Sequence, residues 1–175
     1  MDKIFTGISK QTINCQNCNY DSLTYKPFSV LSLSCESSLR TSLLNHFSIN
    51  QFDSENKYKC DNCQSKTKAK FFISVSYLPE VLVFHIKRFD GNGKKISRFI
   101  EYPKEIDMAP YLTQTDSVTN SLDQETRYYL FGLTEHSGAT NGQGHYTAHT
   151  LRSGTWYKFD DEKFEKVSWR HAMDR

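Results

Sequence analysis

The sequence contains no apolar run approaching the roughly eighteen residues that a membrane-spanning helix requires. Its opening residues lack the long apolar stretch of a secretory signal. It also lacks a charge surplus, because 22 Lys and Arg face 20 Asp and Glu and leave a formal charge of +2. That balance gives no electrostatic reason to expect a nucleic-acid or membrane-surface partner. No internal repeat of the kind that builds solenoids is present. What is present is bulk: 37% hydrophobic residues and 14% aromatics, including 12 Phe and 10 Tyr. A chain of 175 residues with that content suits one packed domain rather than a disordered segment. The expectation is a soluble chain of the cytoplasm or nucleus.

Five cysteines set the next constraint. Four form two Cys-x-x-Cys pairs, Cys15/Cys18 and Cys60/Cys63, and Cys35 stands alone between Ser34 and Glu36. An odd count without a secretory signal argues against a disulfide framework. Each pair lies in a polar, turn-forming setting, Asn14-Cys15-Gln16-Asn17-Cys18-Asn19 and Lys59-Cys60-Asp61-Asn62-Cys63-Gln64, flanked by strand-like sequence. Two such knuckles meeting in space would offer four thiolates to one zinc ion, a closed and therefore structural site. A redox pair would need a helix after one knuckle, and neither has one. Cys35 reads as a small buried hydrophobe.

Most of the remaining chain reads as strand. The exception is Ser37–Phe47, where Leu39, Leu43, Leu44 and Phe47 recur at helical spacing and Ser37 stands in the N-cap position. Lys70–Val75 is strand-like, and a turn follows at Leu78-Pro79-Glu80. Val81–Phe89 then reads as a strand buried on both faces at its start. Asp90-Gly91-Asn92-Gly93 is a turn. Tyr128–Thr134, His145–Leu151 and Thr155–Phe159 are three further predicted strands. The segment 113–126 is poor in aliphatic side chains and predicts a long surface insertion. The fold class expected is α+β, strand-rich, with few helices.

Of the six histidines, His46 belongs to the amphipathic helix, His171 to a polar tail and His85 to an apolar strand as a core residue. His145 and His149 share a face of one strand but lie about 13 Å apart, too far to hold a common metal. His145 follows the Gly-rich stretch Gly142-Gln143-Gly144, and Trp156-Tyr157-Lys158-Phe159-Asp160-Asp161 is the next strand. In a hairpin of these two elements Asp160 would accept the Nδ1 proton of His145, two-thirds of a catalytic triad, or else form an inert surface pair. Five lysines around the second knuckle, Lys57, Lys59, Lys66, Lys68 and Lys70, read as a solvated face.

Taken together, several segments resemble the ubiquitin-specific proteases, papain-like cysteine peptidases that remove ubiquitin. They are Phe5-Thr6-Gly7, the two cysteine knuckles, Leu78-Pro79-Glu80-Val81-Leu82, His85-Ile86-Lys87-Arg88-Phe89, Lys95-Ile96-Ser97-Arg98-Phe99 with Tyr102-Pro103, His136-Ser137-Gly138, Gly144-His145-Tyr146-Thr147-Ala148 and Trp156 to Asp161. The resemblance implies zinc-bearing fingers over about residues 5–75, with Cys15, Cys18, Cys60 and Cys63 holding one structural zinc. It implies a palm over about 76–175, where His145 is the catalytic histidine, Asp160 orients it and Asp161 assists. Residues His136 to Gly144 fall on one of two loops covering the channel for the ubiquitin tail, and Asp90–Lys95 on the other. His136, Ser137, Gly138, Gly144 and Tyr146 are accordingly implied substrate-binding residues. The implied partner is ubiquitin or a ubiquitinated protein.

One departure qualifies that expectation. The family's nucleophilic cysteine lies well before the first knuckle, and no cysteine precedes Cys15 here. The chain is therefore expected to be a partial catalytic domain, fingers and palm without the thumb lobe, and inactive alone. The alternative is a non-catalytic, zinc-dependent ubiquitin-binding or scaffold module. An uncovered palm surface would also favour self-association.

Overall fold

The computed structural model describes residues 4–53, 55–113, 125–140 and 142–173. In chain order its elements are β1 (Gly7–Cys15), β2 (Asp21–Phe28), β3 (Leu31–Ser34), α1 (Leu39–His46), β4 (Asn50–Phe52), β5 (Tyr58–Lys59), β6 (Lys66–Thr67) and β7 (Ala69–Tyr77). Then come β8 (Phe84–Lys87), β9 (Glu105–Asp107), β10 (Arg127–Tyr129), β11 (Gly132–Thr140), β12 (Gln143–Arg152), β13 (Thr155–Asp160), β14 (Lys163–Val167) and α2 (Trp169–Met173). The chain is strand-rich with few helices. Two four-stranded antiparallel sheets dominate, ordered β2-β1-β7-β4 and β11-β12-β13-β14. The first carries the Cys15/Cys18 knuckle at its end, the separate β5–β6 hairpin carries Cys60 and Cys63, and the second four-stranded sheet carries His145 and Asp160.

The core is built around β3, α1 and the end of β7. In β3 the period-two alternation buries Leu31 and Leu33, while Ser32 and Ser34 turn outward. They pack with Leu39 and Leu43 of α1, Val75 at the far end of β7, Leu78 and Met108. The helix begins one residue later than predicted. Ser38, not Ser37, has the extended backbone of an N-cap (φ −145°, ψ 156°), and its Oγ accepts from the Thr41 amide at 3.1 Å. Leu44, expected on the apolar face, points away and is 57% exposed.

Two strand predictions change for identifiable reasons, and one strand was not predicted. Only Phe84–Lys87 of the segment 81–89 forms a strand, because its one ladder partner is β3, in parallel, and that strand is four residues long. With a single partner the segment is half-buried rather than enclosed, and His85 is exposed beside Ser32 Oγ at 3.3 Å. The segment 128–134 divides because Leu130 donates its amide to Lys104 O at 2.8 Å, whereas Phe131 accepts from Leu151 at 2.7 Å. The chain thus leaves the β9–β10 pair and enters the second sheet between those residues. Strand β14 was not predicted, since its side chains are exposed along most of its length and show no alternation. Residues 114–124 of the predicted insertion lie outside the described residues. At the expected boundary near residue 75, β7 runs through from Ala69 to Tyr77, and β3 and α1 share the core of Leu78 and Met108.

Candidate functional site

The four knuckle cysteines converge, with their sulfurs all within 4.8 Å of one another. The closest pairs cross between knuckles: Cys15 Sγ to Cys63 Sγ is 3.9 Å and Cys18 Sγ to Cys60 Sγ is 3.7 Å. Zinc–thiolate bonds of about 2.3 Å in a tetrahedron place sulfurs about 3.8 Å apart, so the spacing fits that ion. The knuckles repeat each other's construction. Cys15 N bonds Tyr20 O at 2.9 Å, as Cys60 N bonds Ser65 O at 3.0 Å. The residue after each second cysteine is left-handed, Asn19 at φ 56° and Gln64 at φ 57°. Asn62 Nδ2 donates to Cys18 at 3.5 Å and Asn17 Nδ2 to Cys63 at 3.6 Å, so each knuckle supports the other's outer sulfur.

The thiol acidities separate accordingly. Cys63 is pulled down to about 6 by the Ser65 backbone N–H and the Asn17 amide. Cys18 is lowered chiefly by Asn62. Cys60 is pushed up to about 11: the Cys63 backbone N–H favours its thiolate, but burial and hydrogen bonds to the Cys15 and Cys18 sulfurs outweigh it. Four sulfurs this close cannot all ionise without a cation among them. An all-thiolate, half-buried donor set suits zinc and leaves no position for substrate.

The second candidate site lies on β12 and β13. Their antiparallel register pairs Ala148 with Phe159, and one further step sets Asp160 opposite Thr147, diagonal to His145 on the same face. The imidazole meets the carboxylate at 2.6 Å, His145 Nε2 to Asp160 Oδ1. The nitrogen differs from the Nδ1 expected above. A diagonal pair is separated by about 7 Å at the backbone, and the short Asp side chain reaches the ring atom farthest from its Cα. Nδ1 is thereby left to exchange a proton elsewhere. The hydrogen bond that His145 donates to Asp160, then the charge of Asp160, then that of Asp161 raise the His145 pKa above the ordinary histidine value. The same bond lowers that of Asp160. Asp161 opens the tight turn into β14 with a left-handed backbone, φ 52°. Both side chains are open to solvent, at 47% and 46% exposure.

Within the segment 136–144, expected as a loop, β11 runs on to Thr140 and β12 begins at Gln143, with an irregular register between Ser137 and Thr140. Ser137 pairs across the strands with His145. The His136 ring packs between Phe89 (5.6 Å) and Tyr146 (4.8 Å) and lies over Gly144, where any Cβ would overlap it. Lys95 Nζ donates to His136 O, and Lys94 bridges Thr140. The turn at 90–95 is itself tight: Asp90 Oδ1 accepts from Asn92 N and Lys94 N, both at 2.9 Å, and Gly93 takes φ 76°. Thus the two segments expected to flank one channel are docked together beside His145. Tyr146 is 66% exposed. Cys35 lies near Arg88, whose Nη1 stands 3.9 Å from its sulfur, and is not in this group. Sequence reasoning missed the buried histidine: it is His149, 0% exposed and 3.8 Å from Glu135, not His85. The period-two relation of His149 to the buried strand face was its only signal.

Over residues 1–175 the chain matches the family described as ubiquitin carboxyl-terminal hydrolase. It is 33% identical to ubiquitin carboxyl-terminal hydrolase 21 of Arabidopsis thaliana, across 100% of this chain and 24% of that protein. It is 32% identical to ubiquitin carboxyl-terminal hydrolase nonstop of Drosophila melanogaster, across 99% of this chain and 37% of that protein. Among solved structures it is similar to the SAGA Ubp8/Sgf11/Sus1/Sgf73 DUB module bound to ubiquitin aldehyde, with TM-score 0.82 and 29% identity. That match covers 98% of this chain and 39% of the other. The chain therefore spans about a quarter to two-fifths of the length of these proteins.

Proposed function

The chain belongs to the ubiquitin carboxyl-terminal hydrolase family, and from that membership we propose that it forms the acid–base and substrate-gripping part of a thiol-dependent deubiquitinase of the cytoplasm or nucleus. The hydrogen bond between His145 and Asp160 carries this reading. In it, a thiolate attacks the carbonyl carbon of ubiquitin's terminal glycine, and His145, as imidazolium, delivers its Nδ1 proton to the departing amine. Neutral His145 then takes a proton from the water that cleaves the thioester. Asp160 holds the ring by Nε2 throughout, and Asp161 adds to the field that favours imidazolium. The docked segments around Phe89, Lys95, His136 and Gly144, with Ser137, Gly138 and Tyr146, cover the tail of ubiquitin. The region of residues 5–75 acts as the fingers, held rigid by one zinc on Cys15, Cys18, Cys60 and Cys63, and residues 76–175 as the palm.

Four cysteines are committed to the metal centre and Cys35 stands by Arg88, so the nucleophile comes from a segment outside these 175 residues. That same distribution of cysteines supports the second reading, a zinc-braced module that binds ubiquitin without cleaving it. Surface apolar groups such as Leu23, Tyr25 and Phe131 support self-association of the isolated chain. Hydrolysis of a ubiquitin C-terminal fluorophore by the full-length protein separates the two readings. Turnover that vanishes in His145→Ala supports the enzyme; ubiquitin binding with no turnover from the intact protein supports the module.

A further inference from the structure

The second knuckle carries a charged surface that neither the metal centre nor the His145–Asp160 pair uses. Along β5, β6 and the start of β7 exposure alternates strictly. Lys57, Lys59, Lys66, Lys68 and Lys70 are exposed, and the intervening Tyr58, Thr67 and Ala69 are half-buried or buried. Lys59 and Lys66 are direct cross-strand partners, so two ammonium groups project from the same side of one short hairpin. Like charges opposed in that way destabilise a strand pair.

The hairpin is nonetheless held firmly. Tyr58 stacks on Phe52 at 6.4 Å, and Phe52 packs on Phe71 of β7 at 6.2 Å. Gln16 N donates to Lys68 O at 3.0 Å, tying the hairpin to the first knuckle. Among the described residues none of the five lysines is in an ion pair, although Asp53, Glu55 and Asp61 lie in the adjoining loop and knuckle. Beside them runs an open groove of about 650 Å³, walled by Phe52 and Tyr58, edged by Lys57 and Lys59, and lined also by Asp53 and Asn56.

We propose that this lysine ladder is a docking surface for an acidic polypeptide segment, whose carboxylates meet the lysines while an apolar side chain enters the groove beside the stacked Phe52 and Tyr58 rings. A chain with a formal charge of only +2 has concentrated five lysines here, none of them ion-paired among the described residues, and short strands present them at regular intervals. Carboxylates from a partner relieve the Lys59–Lys66 repulsion. Nucleic acid fits less well, because Phe52 and Tyr58 turn ring faces to each other instead of offering a stacking platform. This surface is independent of the proposed catalysis.

The test is fluorescence anisotropy on the full-length protein. The probe is a labelled glutamate-rich peptide of about twelve residues containing one leucine, a length matched to the span of the ladder. The competitor is an oligothymidylate of similar length. The peptide binds, and its affinity falls as salt rises. The double substitution Lys59→Gln/Lys66→Gln weakens it about tenfold, as does Lys57→Gln/Lys68→Gln. Lys26→Gln on β2 leaves it unchanged. Unaltered metal content and melting temperature show that each variant is folded. Absence of peptide binding, binding by either folded double variant as tight as that of the unaltered protein, or tighter binding of the oligothymidylate overturns the proposal.

Discussion

The cysteine centre and the His145–Asp160 pair are both made by side chains at the ends of paired strands, yet they are built on opposite plans. The knuckles are reciprocal: each repeats the other's backbone bonds and lends an asparagine amide to the other's sulfur. Two of the four sulfurs belong to fully buried residues, and the set closes on itself. The His145–Asp160 pair is open, half-exposed and unsymmetrical, with one ring nitrogen engaged and the other left over. The closed set suits a role in holding the fold, and the open pair, with a group uncommitted, suits one in reacting.

The contrast is broken most severely at the metal centre. Chelation at neutral pH, or Cys60→Ser, leaves converging thiols without a cation, and the knuckle end of the first sheet loses its order. Metal analysis at one zinc per chain, followed by loss of amide protection around both knuckles on chelation, checks this. Retained protection in metal-free protein contradicts it.

Next in size is the effect of Asp160. In the full-length protein Asp160→Asn lowers turnover about a hundredfold or more, because the ring loses its anchor, while zinc content is unaltered. Steady-state kinetics with a ubiquitin fluorophore measures it, and turnover within twofold of the parent would refute the positioning role. Core packing gives an effect on stability alone. Leu43→Ala costs about 2–5 kcal/mol because Leu43 is fully buried. Leu44→Ala, one residue along the same helix, costs within about 0.5 kcal/mol. Chemical denaturation of the two variants distinguishes them. The smallest effect is that of Asp161→Asn, which lowers the His145 pKa less than the Asp160 substitution does, because only charge at a distance is removed.

The sign for His145 follows from its raised pKa. The His145–Asp160 contact adds stability below the ordinary histidine value, and that contribution is lost as pH rises through the higher folded value. Asp160 supplies the complement: its lowered pKa means that its contribution is present above the ordinary carboxylate value and lost as acid protonates it.

Both sites were legible in the sequence because each rests on short-range spacing. A Cys-x-x-Cys pair carries its geometry within four residues, and Gly144-His145 followed by Phe159-Asp160 needs only a hairpin to become a pair. What depended on long-range pairing was less legible. The segment 81–89 looks doubly buried from composition, but its exposure is decided by β3, some fifty residues upstream along the chain. The ring nitrogen that meets Asp160 is set by a one-step diagonal in strand register, which residue types do not encode. Residues 136–144 were assigned to a loop by the family resemblance alone, yet β11 runs to Thr140 and β12 begins at Gln143, and Gly144 is small to admit the His136 ring. The lysines at the second knuckle looked merely solvated until Lys59 and Lys66 were found opposite one another.

The central claim is that Asp160 holds His145 by Nε2 and leaves Nδ1 for the reacting sulfur. Nitrogen-15 NMR of the histidine rings across a pH titration tests it most directly, since tautomer and pKa are read together and no nucleophile is needed. The account predicts a neutral His145 protonated at Nε2, with a pKa above the ordinary histidine value of about 6.5 that falls in Asp160→Asn. A neutral ring protonated at Nδ1, or a pKa indifferent to that substitution, would contradict it.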